Sequence, residues 1–156
     1  RLLTIALTCA LTLASCAPAA KDAASEFKAV CVGTYTVLAG AGVSAKGKDA
    51  AAARLAAGIM KSRAPTICGC AEETLVETLD DRGLAVAAEL MPLRFSHDIA
   101  KAGGDAGAVR KALDEARAAG AKMIAKYSLT NAEMEKIAAM TDMAVASCFA
   151  PGMRRN

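Results

Sequence analysis

The sequence predicts an all-α protein, a small bundle of about five helices stapled by two disulfides, and three observations carry that reading. Apolar residues recur three and four positions apart through most of the chain, the period of helices with one buried face. The chain is 54% hydrophobic over 156 residues, too apolar for a disordered polymer and of a length for one domain. Of its six cysteines, four lie beyond the N-terminal segment, an even number that reads as a disulfide framework. Only 3% of residues are aromatic and there is no Trp, so a core built from small side chains has reason to need cross-links.

The elements follow in order. Between residues 25 and 40, Phe27, Val30, Cys31, Thr34, Val37 and Leu38 form one stripe at helical spacing, with Ser25 or Asp22 placed to cap its start. The run from Cys31 to Val37 also alternates like a strand, but no partner strand exists elsewhere, so helix is preferred. Gly40, Gly42 and Gly47 mark a loop. Asp49 is placed to cap an Ala-rich helix with Leu55, Ile59 and Met60 on one side. Pro65 fits the first turn of a further helix, where its missing N–H is tolerated, and Cys68, Ala71, Leu75, Val76 and Leu79 form the next stripe.

After Asp80-Asp81 comes the pattern Leu84, Ala87, Ala88, Met91, stopped by Pro92. Ser96 can cap a helical turn before the glycine-rich stretch 103–107 breaks it. A helix returns from Ala108 to Tyr127 with Val109, Leu113, Ala116, Met123, Ile124 and Tyr127 as its apolar members. Thr130 and Glu133 form a capping box, and Met134, Ile137, Ala138, Thr141, Val145 and Cys148 follow on one face until Pro151-Gly152. Leu79-Asp80 and Leu84 echo Leu129-Thr130 and Met134; a leucine before a capped amphipathic helix accounts for both without duplication.

The first residues read as an address. Arg1 precedes an apolar run of a length suited to a secretory h-region and short of the roughly 20 residues that a spanning helix needs. Leu13-Ala14-Ser15-Cys16 resembles the lipobox of bacterial lipoproteins. The resemblance implies a signal peptide over residues 1–15, cleavage before Cys16, and acylation of the Cys16 thiol and new amino group. The membrane partner is then lipid, reached through acylated Cys16. Ala17 in place of Asp implies delivery to the outer membrane, facing the periplasm. Acyl chains contribute roughly 0.8 kcal/mol per buried CH₂, enough for stable anchoring when two or three are present. Residues 16–24 then form the lipidated Cys and a tether, 25–151 the helical domain, and 152–156 a basic tail. The formal charge of +3 falls to +2 when Arg1 is removed, too balanced for a nucleic-acid binder.

Cys31, Cys68, Cys70 and Cys148 are the four candidates for two disulfides. A Cys68–Cys70 bridge would close a very small strained ring. Two pairings remain open, Cys31 to one of the pair and Cys148 to the other. The arrangement resembles small, uncharacterised helical exported proteins of Gram-negative bacteria that carry a Cys-x-Cys pair. The stretch from Cys68 to Leu79 carries the likeness, which transfers no catalytic residue.

Other motifs have plainer readings. Gly42 to Asp49 nearly matches a phosphate-binding loop, but Asp49 stands where Ser or Thr should hold Mg²⁺, so no nucleotide is expected. Cys68-Gly69-Cys70 lacks the two-residue spacing of redox pairs. His97 is the sole histidine, poor material for a metal site, and Met134, Met140 and Met143, with Met123 and Met153, read as core filler rather than a copper(I) site. Glu72, Glu73 and Glu77 read as a solvated helix face, and Arg154-Arg155 is a weak signal for acidic headgroups. No cofactor and no catalytic residue are expected. The sequence points to a non-catalytic binding or envelope-structural role with an envelope protein or polymer as partner. The alternatives are a thiol–disulfide redox protein using Cys68 and Cys70, and a periplasmic inhibitor or chaperone.

Overall fold

A computed structural model describes residues 20–43, 50–102 and 106–149. These form five helices: α1 (Ala20–Val43), α2 (Ala50–Val76), α3 (Asp81–Ala102), α4 (Ala106–Tyr127) and α5 (Asn131–Phe149). Among the described residues there is no strand, so the run from Cys31 to Val37 is helical. Helix α1 lies against α2 and α3; α5 closes on α2, and α4 packs on α3, with smaller contacts from α5 to α3 and α4. Among the described residues no helix is long and apolar enough to cross a membrane.

Several boundaries differ from the sequence reading. Helix α1 begins at Ala20, so Ala20–Ala24 belong to a helix rather than to the tether, and Ser25 lies inside it. Ala23 and Ala24 pack against the core, which draws those residues into the helix. Pro65 does not open a helix but sits within α2, and Pro92 does not stop α3. Interior proline costs about 3 kcal/mol because it removes one helical hydrogen bond and crowds the preceding turn. Both prolines lie on the exposed side, where water reaches the freed backbone. The buried neighbours Ala64, Ile67 and Cys68, and Ala88 and Met91, hold the helices together across them. Each buried large aliphatic side chain contributes roughly 1.5–3 kcal/mol, enough in sum to offset the loss. Ser96 is likewise interior, its hydroxyl donating to the Pro92 carbonyl at 2.9 Å.

The core face of α1 is the i+4 row Phe27, Cys31, Tyr35 and Ala39, turned slightly from the expected stripe; Val37 is 68% exposed. Tyr35 sets that rotation, because its ring meets Phe95 at 5.0 Å and Phe149 at 5.5 Å, both edge-on. In α2 the buried residues are Ala57, Ala64, Ile67, Cys68, Ala71 and Leu75, whereas Leu55, Ile59 and Val76 are exposed. Ala64, Ala71, Ala87 and Ala88 share the core with the large side chains Phe27, Tyr35, Ile67, Leu75 and Val86. Thr141 is fully buried in α5 with its hydroxyl donating to the Ile137 carbonyl at 2.8 Å.

Both turns at one end of the bundle are built from capping chemistry. Asp80 accepts from the Gly83 N–H at 2.8 Å and opens α3. Thr130 and Glu133 exchange hydrogen bonds, the Thr130 N–H to Glu133 at 2.7 Å and the Glu133 N–H to the Thr130 hydroxyl at 3.2 Å. Leu79 and Leu129 each precede a cap, which explains the sequence echo physically. Helix α4 ends with the Leu129 N–H on the Ile124 carbonyl at 2.9 Å and Ser128 in the left-handed region, φ 50°. Arg82 joins the two turns, contacting Glu133 at 3.3 Å and the Tyr127 carbonyl at 3.5 Å.

Candidate functional site

The cysteines form a hub on α2. Residues two apart on a helix point about 200° from one another, so Cys68 and Cys70 face different neighbours. Cys68 is bonded to Cys31 of α1 and Cys70 to Cys148 of α5, with Cα atoms 5.8 and 5.9 Å apart. One of the two open pairings is thereby selected. The first bridge is fully buried, while Cys70 is exposed and Cys148 half-buried. Cys68 and Cys70 are not bonded to each other.

The other candidates do not converge. Glu72 pairs with Lys28 at 3.1 Å, and Glu73 and Glu77 are exposed. Met123 is buried, Met134 and Met140 are half-buried, and Met143 is 64% exposed, so they line no common space. Among the described residues no three His, Cys, Asp or Glu side chains gather as metal ligands. Cys16, the lipobox, Asp49, Met153 and Arg154-Arg155 lie outside the described residues, as does the side chain of His97.

The strongest concave feature is a groove along α1 and α3 that the sequence reading missed. A cavity of about 430 Å³ is lined by Glu26 and Val30 of α1, Ala88, Glu89, Pro92 and Leu93 of α3, and Ala119, Lys122 and Met123 of α4. A second, about 330 Å³, is lined by Val30, Gly33, Thr34, Val37 and Leu38 of α1 and Pro92, Phe95 and Ser96 of α3. Val30 and Pro92 belong to both, so the two halves adjoin there. Gly33 borders open space, since a Cβ there would meet nothing within 4 Å. Pro92 contributes an apolar ring and, having no N–H, leaves the Ala88 carbonyl without its helical donor. The signal for the groove was present in Pro92, but a proline reads first as a helix stop, and Val30 and Leu38 read as ordinary core.

Charge collects at one end. Glu89 accepts hydrogen bonds from Lys126 and from the Tyr127 hydroxyl, the latter at 2.8 Å. The Lys126 ammonium lies 4.8 Å from the centre of the Tyr127 ring. The Lys126 hydrogen bond, with help from Tyr127, holds Glu89 below the usual carboxylate range. Burial, then the bond to Glu89, pushes the Tyr127 phenol up. Glu26 and Lys122 stand across the same cavity, both exposed. The opposite end, around Val37, Leu38 and Phe95, is apolar.

A depression of about 510 Å³ on α4, among Gly107, Arg110, Lys111, Asp114, Glu115 and Ala118, is formed by one helix face. Two local pairs lie there, Lys111–Glu115 at 3.9 Å and Asp114–Arg117 at 3.4 Å. No protein-family model, curated protein or solved structure matches this chain, so the site is judged on its own chemistry.

Proposed function

We propose that this chain is a lipid-anchored envelope protein, held to the outer membrane through acylated Cys16, whose helical domain binds a ligand rather than performing chemistry. The observation that supports it most is the bonding of Cys68 and Cys70 to two different helices. A redox pair needs two neighbouring thiols that exchange electrons with each other and with a substrate. Here each sulfur is committed to a long-range staple, Cys68 fully buried, and such bridges suit an oxidising compartment. The groove between α1, α3 and α4 supplies the concave, mostly apolar surface that small-ligand sites share.

The test is non-reducing peptide mapping of the full chain taken from its native membrane. The expected result is an acylated Cys16 peptide, with the Cys31 and Cys148 peptides each bridged to the peptide bearing Cys68 and Cys70. An unmodified Cys16 overturns the anchor. Free or mutually linked Cys68 and Cys70 overturn the stapled binding module in favour of thiol exchange.

A further inference from the structure

We propose that the groove takes one zwitterionic single-chain lipid, a lysophospholipid, with its acyl chain along Val30, Gly33 and Leu38 and its headgroup between Glu26 and Lys122. Length is the first argument. From Glu26 to Leu38 the groove follows α1 for about 18 Å at about 1.5 Å per residue. One leaflet of a bilayer's roughly 30 Å hydrocarbon core is about 15 Å deep, so this length holds a headgroup at Glu26 and most of a single acyl chain beyond it.

Width is the second. The two halves measure about 430 and 330 Å³ and share Val30 and Pro92 as lining residues. A helix about 10–12 Å across could seat only one face in a groove of this size. Sites of roughly 300–1,000 Å³ enclose most of a small ligand, so the groove's dimensions suit a small single-chain molecule.

Charge is the third. Among the described residues, the end around Val37 and Phe95 has no ionised lining residue, while the other end presents Glu26, Glu89 and Lys122. Glu89 is already satisfied by Lys126 and Tyr127. Among the described lining residues that leaves one cation, Lys122, for a phosphate and one anion, Glu26, for an ammonium. A lipid with a zwitterionic head and one chain matches both ends at once. The inference deepens the binding role proposed above, and its test reads the anchor separately.

Membranes containing the full chain are mixed with a C16 lysophosphatidylethanolamine carrying a diazirine in its chain, irradiated, and mapped by mass spectrometry. Adducts are expected in the α1 and α3 peptides spanning 26–38 and 88–96. Gly33→Leu fills the distal half without threatening the helix, and should lower labelling there about tenfold, equivalent to about 1.4 kcal/mol. The same digest reports both disulfides as a check on folding, and Cys16 acylation as a check on the anchor. Lys122→Glu should weaken labelling by the zwitterionic probe while leaving a diazirine monoacylglycerol unaffected. Adducts scattered over the exposed faces of α2 and α4, or unchanged in Gly33→Leu, overturn the proposal. Equal effects of Lys122→Glu on both probes overturn the headgroup assignment. Labelling seen only in Cys16→Ser means that the chain's own anchor fills the groove, and it too overturns the proposal, as does a protein crosslinked at those peptides.

Discussion

Cys68 and Cys70 stand two residues apart on α2, yet one is joined to the first helix and the other to the last. The two closed loops, with sequence separations of 37 and 78, lie end to end along the chain rather than overlapping. Each constrains a different part of the unfolded chain, and the chain-entropy relation gives about 3.8 and about 4.5 kcal/mol. A helix that carries both becomes the fixed reference for the bundle.

The two bridges should open in order. Cys70 is exposed and Cys148 half-buried, whereas Cys31 and Cys68 are inaccessible. Thiolate attack needs access to sulfur. A mild reductant should therefore free Cys70 and Cys148 first, with Cys31–Cys68 surviving until the fold opens. Timed alkylation followed by peptide fragmentation reads the order, and simultaneous release would contradict the buried placement.

Tyr35 carries a buried hydroxyl with no hydrogen-bond partner among the described residues, and burial pushes its phenol well above the usual range. Leaving such a group unsatisfied costs about 1–3 kcal/mol. Tyr35→Phe should raise stability by about 1 kcal/mol, because the ring contacts with Phe95 and Phe149 remain. Tyr35→Ala should lose about 3–5 kcal/mol through the cavity it leaves. Denaturant melts of both variants decide the matter; a destabilised Phe variant would mean the hydroxyl has a partner.

Two glycines should respond oppositely to alanine. At Gly69 an added Cβ meets only the Lys28 side-chain end, at 3.5 Å, so Gly69→Ala should gain up to about 1 kcal/mol of helix propensity. At Gly83 the Cβ would sit 3.1 Å from the Leu79 Cβ and 3.2 Å from the Asp80 carboxylate that caps α3. Gly83→Ala should therefore lower the melting temperature while Gly69→Ala raises it.

Ser128 holds a backbone conformation that ordinarily costs an L-residue about 1–2 kcal/mol. Ser128→Gly should stabilise the end of α4 by about 1 kcal/mol, the usual benefit of glycine at this position. Hydrogen exchange of the Leu129 amide, bonded to the Ile124 carbonyl, should slow in parallel.

Acid should loosen the inter-helix carboxylates. The Thr130 N–H and hydroxyl, with Arg82 beyond them, hold Glu133 below the ordinary range, and Lys126 does the same for Glu89. Groups with lowered folded-state values stabilise fully above the unfolded value of about 4.3 and lose that contribution as pH falls through the folded values. Stability should be flat in these groups from neutrality to mild acid and decline below. Glu133→Gln and Glu89→Gln should each flatten that decline; an unchanged acid limb in both would refute the assignment.

Much of the architecture was legible in the chain. The helical period, the Thr130–Glu133 box, the Asp80 start and the commitment of four cysteines to bridges are local or countable properties, and local rules read them. The prolines misled because Pro65 and Pro92 break isolated helices, and only the packing of Ala64, Ile67, Ala88 and Met91 against other helices outweighs that cost. The two cysteine pairings were equivalent in sequence; the rotation of α2 between α1 and α5 selected one. Likewise Val30, Gly33 and Pro92 are unremarkable apart. They line adjoining cavities because α1 packs against α3, a proximity that arises from tertiary packing and leaves no periodic trace in the chain.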